Sequence, residues 1–440
     1  MNNSPRTVVA KALLHLEAKN AWSNLTLDGA LSGAGLKGQD AAFAGMLFYG
    51  VVERRLTLDA CIAAHSSQPP HKLQPEVLCA LRLGVYQLVY MDSVPDHAAV
   101  SESVSLVKGF GRSAASGFVN GVLRGFLRGG KKIPLPEKPL ARKMSVRYSC
   151  PEPLVRLWLE AYGEEAAGRF LEASLGRAPV SARVNTLRIS PAELIARLFE
   201  EGVAASVHPD IPEVLLLERT GAIHRLSAYL EGLFHIQDPS SVLCARALDP
   251  RPGHNVLDAC AAPGGKSFSL LELMGGEGRV TACELHPQRA ELMQKRAREM
   301  GFGDLGKLDI IACDMSRPDE RLVPRFDRVL CDVPCSGYGA IRRKPEIKYK
   351  PLEEFGSIAK TQYKILENSS HYCKEGARLI YSTCTLNPSE NEELCDLFLK
   401  ANKGFSPAPL GGLLGDMPRR TLTGEFMGDG FFLAAFVREG

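Results

Sequence analysis

The amino-acid sequence predicts a multidomain protein with an all-α part, a small α+β module and a C-terminal α/β domain with a mainly parallel sheet. Three observations lead to this prediction. The chain has 440 residues, which is too long for one ordinary hydrophobic core. Apolar residues recur at helical spacing from residue 5 to about 128. From residue 234 onward, short apolar runs alternate with helical stretches, as in repeated βαβ units.

The composition is that of a globular protein and argues against several other classes. Hydrophobic residues make up 45% of the chain and charged residues 23%. The formal net charge is only +3, so a polyanionic partner has to be inferred from local basic stretches. The 12 cysteines form no CxxC pair, which argues against a metal site. No signal peptide or membrane span is visible, so we expect a cytoplasmic protein without a membrane partner.

Residues 1–128 predict a helical domain with a core of its own. Helical periodicity covers residues 8–16, 43–52, 77–88 and 118–124, and Gly and Pro residues separate these segments. The segments 48–52, 81–88, 94–100 and 118–124 resemble those of the NusB-like RNA-binding domain. This resemblance implies a helical RNA-binding domain. A helical packing domain without a ligand is the alternative.

Residues 129–150 predict a basic linker. Gly129, Gly130 and three prolines break regular structure, and Glu137 is the single acid among many lysines and arginines. An extended basic segment suits contact with RNA phosphates. A solubilising tether explains the same composition, so both interpretations stay open.

Residues 151–232 predict a small α+β module. Residues 180–186 and 214–217 have strand patterns, and residues 191–200 predict a helix with Ser190 at its N-cap. Arg183 and Asn185 lie on the same side of the first strand, opposite Val184. They are either polar residues that contact nucleic acid or ordinary exposed strand residues.

Residues 233–440 predict the α/β domain. Its strands are expected at 255–259, 278–284, 308–314, 328–332 and 377–384, with a last strand at 430–437. Helices are expected at 265–273, 287–300 and 357–373. In such a sheet, ligands bind at the carboxyl ends of the strands.

Three successive strand ends carry residues suited to a nucleoside cofactor. The first strand runs into a turn of small residues that ends in a lysine, namely Cys260, Ala261, Ala262, Pro263, Gly264, Gly265 and Lys266. Small residues let backbone N–H groups approach a ligand, although this is not the spacing of a phosphate-binding P-loop. Glu284 ends the second strand, where an acid can hold ribose hydroxyls, and Asp314 ends the third, near an adenine edge.

Two cysteines follow the fourth and fifth strands. Cys335 comes after Asp332, Val333 and Pro334, and Cys384 lies between two threonines. Either cysteine alone is typical of a small buried residue. Their joint placement at one sheet edge, with a carboxylate beside one of them, predicts a reactive site instead.

These motifs resemble the signature motifs of the NOL1/NOP2/Sun family of S-adenosylmethionine-dependent RNA (cytosine-5) methyltransferases. The resemblance covers nearly the whole chain. It implies that S-adenosylmethionine is the cofactor and that residues 260–266, Glu284, Asp314 and Asp332 surround it. It also implies that Cys384 is the nucleophile, that Cys335 assists product release, that Asp332 binds the base and that Lys266 supports Asp332 or the thiolate. Two departures are visible, since Glu284 and Lys344 stand where many members have Asp and His.

The partner implied is 16S ribosomal RNA, bound by a monomer through basic residues near the site. Arg342, Arg343, Lys344 and Lys348 follow the Cys335 loop and suit RNA-backbone contact, with a solvated loop as the alternative. Because pairing hides the C5–C6 face of cytosine, the target should be unpaired or flipped.

Two other functions were weighed against methylation at C5. Methylation of an exocyclic amine usually needs an Asn/Asp-Pro-Pro-aromatic loop, and this chain has Asp332-Val333-Pro334-Cys335 in that place. A ribosome-assembly factor with an inactive catalytic fold would not need both Cys335 and Cys384. Mass spectrometry of RNA treated with protein and labelled cofactor separates the three.

Overall fold

The chain forms two compact units in a computed structural model that describes residues 4–19, 21–323, 325–352 and 356–440. One unit extends to Leu175 and also includes Ile341–Leu352. The other comprises Gly176–Ala340 and Glu353–Gly440. Within the described ranges, no helix is long and apolar enough to cross a lipid bilayer.

The first unit is helical, as predicted. Its helices are α1 (Pro5–Lys19), α2 (Ser23–Ala34), α3 (Gly38–Ala63), α4 (Pro75–Tyr90), α5 (Asp96–Gly109), α6 (Ser116–Arg128), α7 (Leu140–Tyr148) and α8 (Glu152–Ala173). Helix α4 is buried along most of its length because α1, α3, α5 and α6 all contact it. The apolar side chains of these helices form one continuous core.

The predicted linker is partly helical. Helix α7 packs against α3, where the Thr57 hydroxyl donates to the Val146 carbonyl at 2.6 Å and the Ser149 hydroxyl accepts from the Leu56 amide at 2.9 Å. The prediction of an extended segment is therefore wrong over Leu140–Tyr148. One side of this stretch is buried in the helical unit, while its basic side chains are exposed, namely Arg142, Lys143 and Arg147.

The second unit contains a small antiparallel sheet. Its strands are β1 (Val180–Val184), β2 (Ala204–Val207), β3 (Val214–Glu218) and β4 (Phe234–Ile236), in the order β2-β3-β1-β4. Helices α9 (Pro191–Glu200) and α10 (Ser227–Leu230) accompany it. The predicted start of α9 is confirmed, because the Ser190 and Glu193 side chains form a capping box.

The second unit also contains an eight-stranded sheet. Its strands are β5 (Asn255–Asp258), β6 (Arg279–Glu284), β7 (Leu308–Ala312), β8 (Phe326–Asp332), β9 (Cys373–Thr383), β10 (Phe405–Pro407), β11 (Arg419–Thr423) and β12 (Gly430–Arg438). The accompanying helices are α11 (Pro239–Ala247), α12 (Gly265–Leu273), α13 (Pro287–Glu299), α14 (Ile358–His371) and α15 (Glu392–Ala401). The predicted strand and helix order is confirmed.

The large sheet is parallel in its centre and antiparallel at one side. Strands β7, β6, β5, β8 and β9 pair in parallel, and β12 then pairs antiparallel with β9, β10 and β11. Hydrophobic cores cover both faces of the sheet. The carboxyl ends of the five parallel strands therefore meet at one edge, which is where the predicted site residues lie.

Candidate active site

The two predicted thiols meet at the carboxyl ends of β8 and β9. These strands pair in parallel, with Asp332 beside Ser382. Cys335 follows β8 and Cys384 follows β9, and their sulfur atoms are 3.0 Å apart. Both cysteines are half-buried. The hydrogen bond with Cys384, together with burial, raises the pKa of Cys335 well above its ordinary range.

A close backbone contact fixes the turn that follows Cys335. The Gly339 amide donates to the Cys384 carbonyl at 2.9 Å, which ties one cysteine loop to the other. A Cβ at position 339 would lie 1.9 Å from the carbonyl oxygen of Gly430, at the start of β12. Only glycine fits this approach of two backbones. No local pattern in the chain singles out Gly339 among its glycines.

An ion pair lies beside the cysteines. The Lys266 ammonium is 2.7 Å from one oxygen of Asp332 and also donates to the Ser241 hydroxyl at 3.0 Å. The Ser382 hydroxyl donates to the other Asp332 oxygen at 2.8 Å. Burial alone would lower the pKa of Lys266, but the adjacent carboxylate outweighs it and the pKa is raised. Lys266 therefore stays charged and orients Asp332. Ser241 and Ser382 were not identified from the sequence, because isolated serines carry no distinctive pattern.

The small-residue turn lies between β5 and α12. Gly264 is the N-cap of α12 and has a φ of 108°, and a Cβ there would lie 2.6 Å from the Phe268 ring. The Ala261 amide donates to the Cys283 carbonyl at 2.8 Å, which holds the turn against the end of β6. The segment from Cys260 to Lys266 thus presents backbone and the start of a helix at this edge.

Three acids stand at the ends of the neighbouring strands β5, β6 and β7. Asp258 ends β5, accepts from the Ser267 hydroxyl at 2.7 Å, and has its pKa raised to about 6 by burial. Glu284 ends β6, and its Oε1 accepts from the His286 amide at 3.0 Å and from Arg289 at 3.1 Å. Asp314 follows β7 and accepts from the Ser316 hydroxyl at 2.6 Å. The structure brings the acids predicted for the cofactor to one edge, and adds Asp258.

Arg183 and Asn185 are not exposed, and their predicted contact with RNA is wrong. The Arg183 side chain is 1% exposed and pairs with Glu272 at 2.6 Å and with Glu213 at 3.0 Å. Asn185 is fully buried and donates to the carbonyls of Gly232 and Met300 at 3.0 and 2.9 Å. Both side chains point into the unit, because the small sheet packs this face against other elements of the unit rather than against solvent.

Replacing Arg183 by methionine is expected to lower the free energy of unfolding by about 3–5 kcal/mol, because it leaves the buried Glu272 carboxylate without its partner and leaves Glu213 with Arg246 alone. Burial raises the pKa of Glu272 to about 7 even beside the Arg183 guanidinium. Chemical denaturation measures the change. Arg197→Met, which removes an exposed ion pair with Glu231, is the control and should cost less than about 1 kcal/mol. Weakened RNA binding with unchanged stability would instead restore a role for Arg183 in RNA contact.

The basic segment after the Cys335 loop belongs to the helical unit. The Lys348 side chain is buried and its ammonium donates to the Glu53 carbonyl at 2.7 Å, while the neighbouring Tyr349 hydroxyl donates to the Val52 carbonyl at 2.9 Å. Burial lowers the pKa of Lys348 to about 8. The prediction that Lys348 contacts RNA is therefore wrong.

The other basic residues of this segment are more accessible. Lys344 is exposed, with its ammonium 5.2 Å from the centroid of the Trp22 ring. Arg342 and Arg343 are half-buried. These three residues remain candidates for RNA contact.

Comparison with protein families divides the chain into three parts. Residues 3–128 match the NusB family, and residues 150–224 match the ferredoxin-like domain of the RsmF/B-like methyltransferases. Residues 245–437 match the family described as 16S rRNA methyltransferase RsmB/F. The matches follow the helical part, the small sheet and the large sheet in order.

Two solved structures resemble this chain, one over its whole length and one over about two thirds of it. The crystal structure of PH0851 has the same fold, with a TM-score of 0.79 over 100% of this chain and 99% of that chain, at 23% identity. A methyltransferase homologue from Pyrococcus horikoshii is 27% identical, with a TM-score of 0.58 over 68% of this chain and 99% of that chain.

Two bacterial relatives carry the assignment. The probable ribosomal RNA small subunit methyltransferase B of Bacillus subtilis is 35% identical, over 99% of both chains. The ribosomal RNA small subunit methyltransferase B of Klebsiella pneumoniae is 32% identical, over 91% of this chain and 90% of the relative. With end-to-end relatives at this identity and a matching family model over the large sheet, the chain belongs to the RsmB/F family of 16S rRNA methyltransferases.

Proposed function

We propose that this protein transfers a methyl group from S-adenosylmethionine to C5 of a cytosine in 16S ribosomal RNA through a covalent cysteine–C6 adduct. The observation that carries the proposal is the pair of sulfur atoms, 3.0 Å apart, at the carboxyl ends of two adjacent parallel strands. One thiol is needed to activate the pyrimidine, and a second group close by is needed to release the product. Methylation of an amine needs neither.

The reaction starts at Cys384. C5 of cytosine is a weak nucleophile, and addition of a thiolate at C6 makes it reactive by converting the ring to an enamine. In the resting site, the two sulfur atoms lie 3.0 Å apart, and we assign Cys335 as the donor and Cys384 as the acceptor of the hydrogen bond between them. The thiolate is the nucleophilic form of a cysteine, and a donor beside its sulfur stabilises that form.

Asp332 is the residue that recognises the base. Lys266 pairs with one of its oxygens and the Ser382 hydroxyl donates to the other, so the side chain is held in one orientation. An ionised carboxylate accepts hydrogen bonds from the exocyclic amine of cytosine or from a protonated N3. Such contacts stabilise charge that builds up in the ring when the thiol adds.

The edge formed by β5, β6 and β7 fits S-adenosylmethionine. The segment from Cys260 to Lys266 carries only small side chains before its lysine, so its backbone can approach a nucleoside closely. Glu284 would hold the ribose hydroxyls and Asp314 would face the adenine. The bound cofactor supplies an electrophilic methyl group, and Asp332 helps to place the base toward it.

Cys335 completes the cycle. Once the Cys384 sulfur is bonded to C6, it no longer accepts the Cys335 proton, and the main cause of the raised pKa of Cys335 is gone. Cys335 then loses its proton to solvent and takes the proton from C5. The C5–H electron pair forms the C5–C6 double bond, and the electrons of the C6–S bond return to Cys384. Both cysteines end in their starting protonation states.

The substrate cytosine must be accessible from both faces of its ring. Thiol attack and methyl transfer cannot reach C5 and C6 inside a stacked helix, so the target is an unpaired or flipped nucleotide. Arg342, Arg343 and Lys344 are the basic residues of the segment after the Cys335 loop that could contact the RNA backbone.

Mapping the transferred methyl group tests the proposal. 16S ribosomal RNA and small ribosomal subunits from a strain lacking this gene are incubated with the protein and methyl-labelled cofactor. The label should appear as 5-methylcytosine at a single position, by mass spectrometry of nucleosides and RNase fragments. Label on an exocyclic amine, or on a ribose hydroxyl, would contradict the proposal.

A further inference from the structure

A buried carboxylate lies behind the two cysteines. Glu390, between β9 and α15, is fully buried. Its Oε1 accepts from the Ser336 hydroxyl at 2.5 Å and from the Asn387 amide at 2.8 Å. Its Oε2 accepts from the Ser336 backbone amide at 3.0 Å and from the Gln362 amide at 2.9 Å. Four donors therefore converge on one side chain.

This arrangement suits a side chain that accepts hydrogen bonds at both oxygens. An ionised carboxylate is an acceptor at both oxygens and has about four lone-pair positions, so it satisfies all four donors. A glutamine in the same place would direct its own N–H groups toward two of them. A buried polar group without a partner costs about 1–3 kcal/mol, so the surroundings of Glu390 discriminate between the acid and its amide.

The hydrogen bonds around Glu390 connect both cysteine loops. Because the Ser336 hydroxyl donates to Glu390, the 2.6 Å contact between Ser336 and Thr385 has the Thr385 hydroxyl as donor. Ser336 directly follows Cys335, and Thr385 directly follows Cys384. The Gln362 amide that binds Glu390 also donates to the Pro334 carbonyl at 2.9 Å, on the other side of Cys335.

We propose that Glu390 is a positioning residue that holds the Cys335 loop against the Cys384 loop, so that the two sulfurs stay within reach during product release. The proposal deepens the function given above and rests on it for the role of Cys335. Glu390 accepts two hydrogen bonds directly from Ser336, which follows Cys335, and reaches Pro334 through Gln362. It reaches Thr385, which follows Cys384, only through the Ser336 hydroxyl. Loss of the carboxylate should therefore displace Cys335 more than Cys384.

Thiol crosslinking tests the sulfur spacing without RNA or cofactor. Dibromobimane bridges two thiols that lie close together, forming two C–S bonds and releasing two bromides. Wild-type protein should give a Cys335–Cys384 bridge, identified by peptide mass spectrometry. Glu390→Gln should form it at least about tenfold more slowly. Glu393→Gln, which makes the same change of charge on an exposed side chain three residues away, should crosslink like wild type.

Turnover tests the consequence for catalysis. Glu390→Gln should lower kcat by about tenfold to a hundredfold, with the KM for the cofactor unchanged, since Glu284, Asp314 and the segment from Cys260 to Lys266 follow the neighbouring strands β5, β6 and β7. A covalent protein–RNA complex should accumulate, as expected for a variant in which Cys384 adds normally and Cys335 no longer assists release. Glu390→Asp keeps the charge and should restore part of the crosslinking rate.

The proposal would be overturned if Glu390→Gln formed the crosslink and methylated RNA as fast as Glu393→Gln. A fall in turnover with normal crosslinking would also overturn it, because Glu390 would then act on something other than the sulfur spacing. Should Glu390→Gln fail to fold, Ser336→Ala removes the hydroxyl bridge alone. It should slow crosslinking too, and a normal rate would again contradict the proposal. If RNA is not methylated at C5 even by wild type, the crosslinking result still stands on its own.

Discussion

Alanine at Cys384 is expected to lower methyl transfer by on the order of a thousandfold or more, because it removes the proposed nucleophile that activates the base. Alanine at Cys335 should act at a later step. The methyl group is transferred, but the adduct between Cys384 and C6 persists and a protein–RNA complex accumulates. Single-turnover assays with labelled RNA and denaturing gels measure both outcomes.

The matched control for these two variants is Cys61→Ala, in the helical unit. Its thiol is buried among apolar side chains, and burial is the main cause that raises its pKa. Turnover should stay close to wild type in this variant. A stable adduct formed by Cys384→Ala, with none formed by Cys335→Ala, would reverse the two assigned roles.

Alanine at Gly339 is expected to have the second large effect. The added Cβ would lie 1.9 Å from the Gly430 carbonyl oxygen. No side-chain rotation can relieve this clash, because the Cβ is bonded directly to the backbone and the oxygen is part of it. The turn after Cys335 has to move, which also disturbs the hydrogen bond from Gly339 to the Cys384 carbonyl. We expect a loss of about 1–3 kcal/mol or more in unfolding free energy. A shift of 1 Å in the site would lower kcat by about a hundredfold.

Gly121→Ala is the control for this substitution. Gly121 lies in α6, is exposed, and has no atom near the position of an added Cβ. Alanine there should raise stability by about 0.5–1 kcal/mol through helix propensity and leave activity unchanged. Near-normal turnover of Gly339→Ala would mean that the cysteine loops tolerate displacement.

Much of the α/β domain was predictable, because its strand ends carry several local signals at once. The bounds of α12 were predicted correctly from the small-residue turn that precedes it, and α9 from Ser190 and the following proline. The placement of Cys335 and Cys384 at one edge followed from the rule that parallel strands end together. Local sequence patterns and sheet topology agreed there.

The errors concern residues whose environment is set by distant parts of the chain. Strand alternation placed Arg183 and Asn185 on one side of β1, but it did not reveal that other parts of the protein cover that side. Lys348 stands in a basic stretch, yet its ammonium binds a carbonyl that lies 295 positions away. Glu390 was missed for a similar reason, since a buried acceptor is defined by four donors that are scattered along the sequence.

The inclusion of Ile341–Leu352 in the helical unit has a consequence for dissecting this enzyme. A fragment that starts at Gly176 would retain this segment but lose the helices that cover Tyr349 and satisfy Lys348. Such a cut would expose the Tyr349 ring and remove the carbonyl that accepts from the Lys348 ammonium, a few residues beyond the Cys335 loop. The helical unit and the unit that contains the large sheet are therefore interleaved along the sequence, and no single cut separates them.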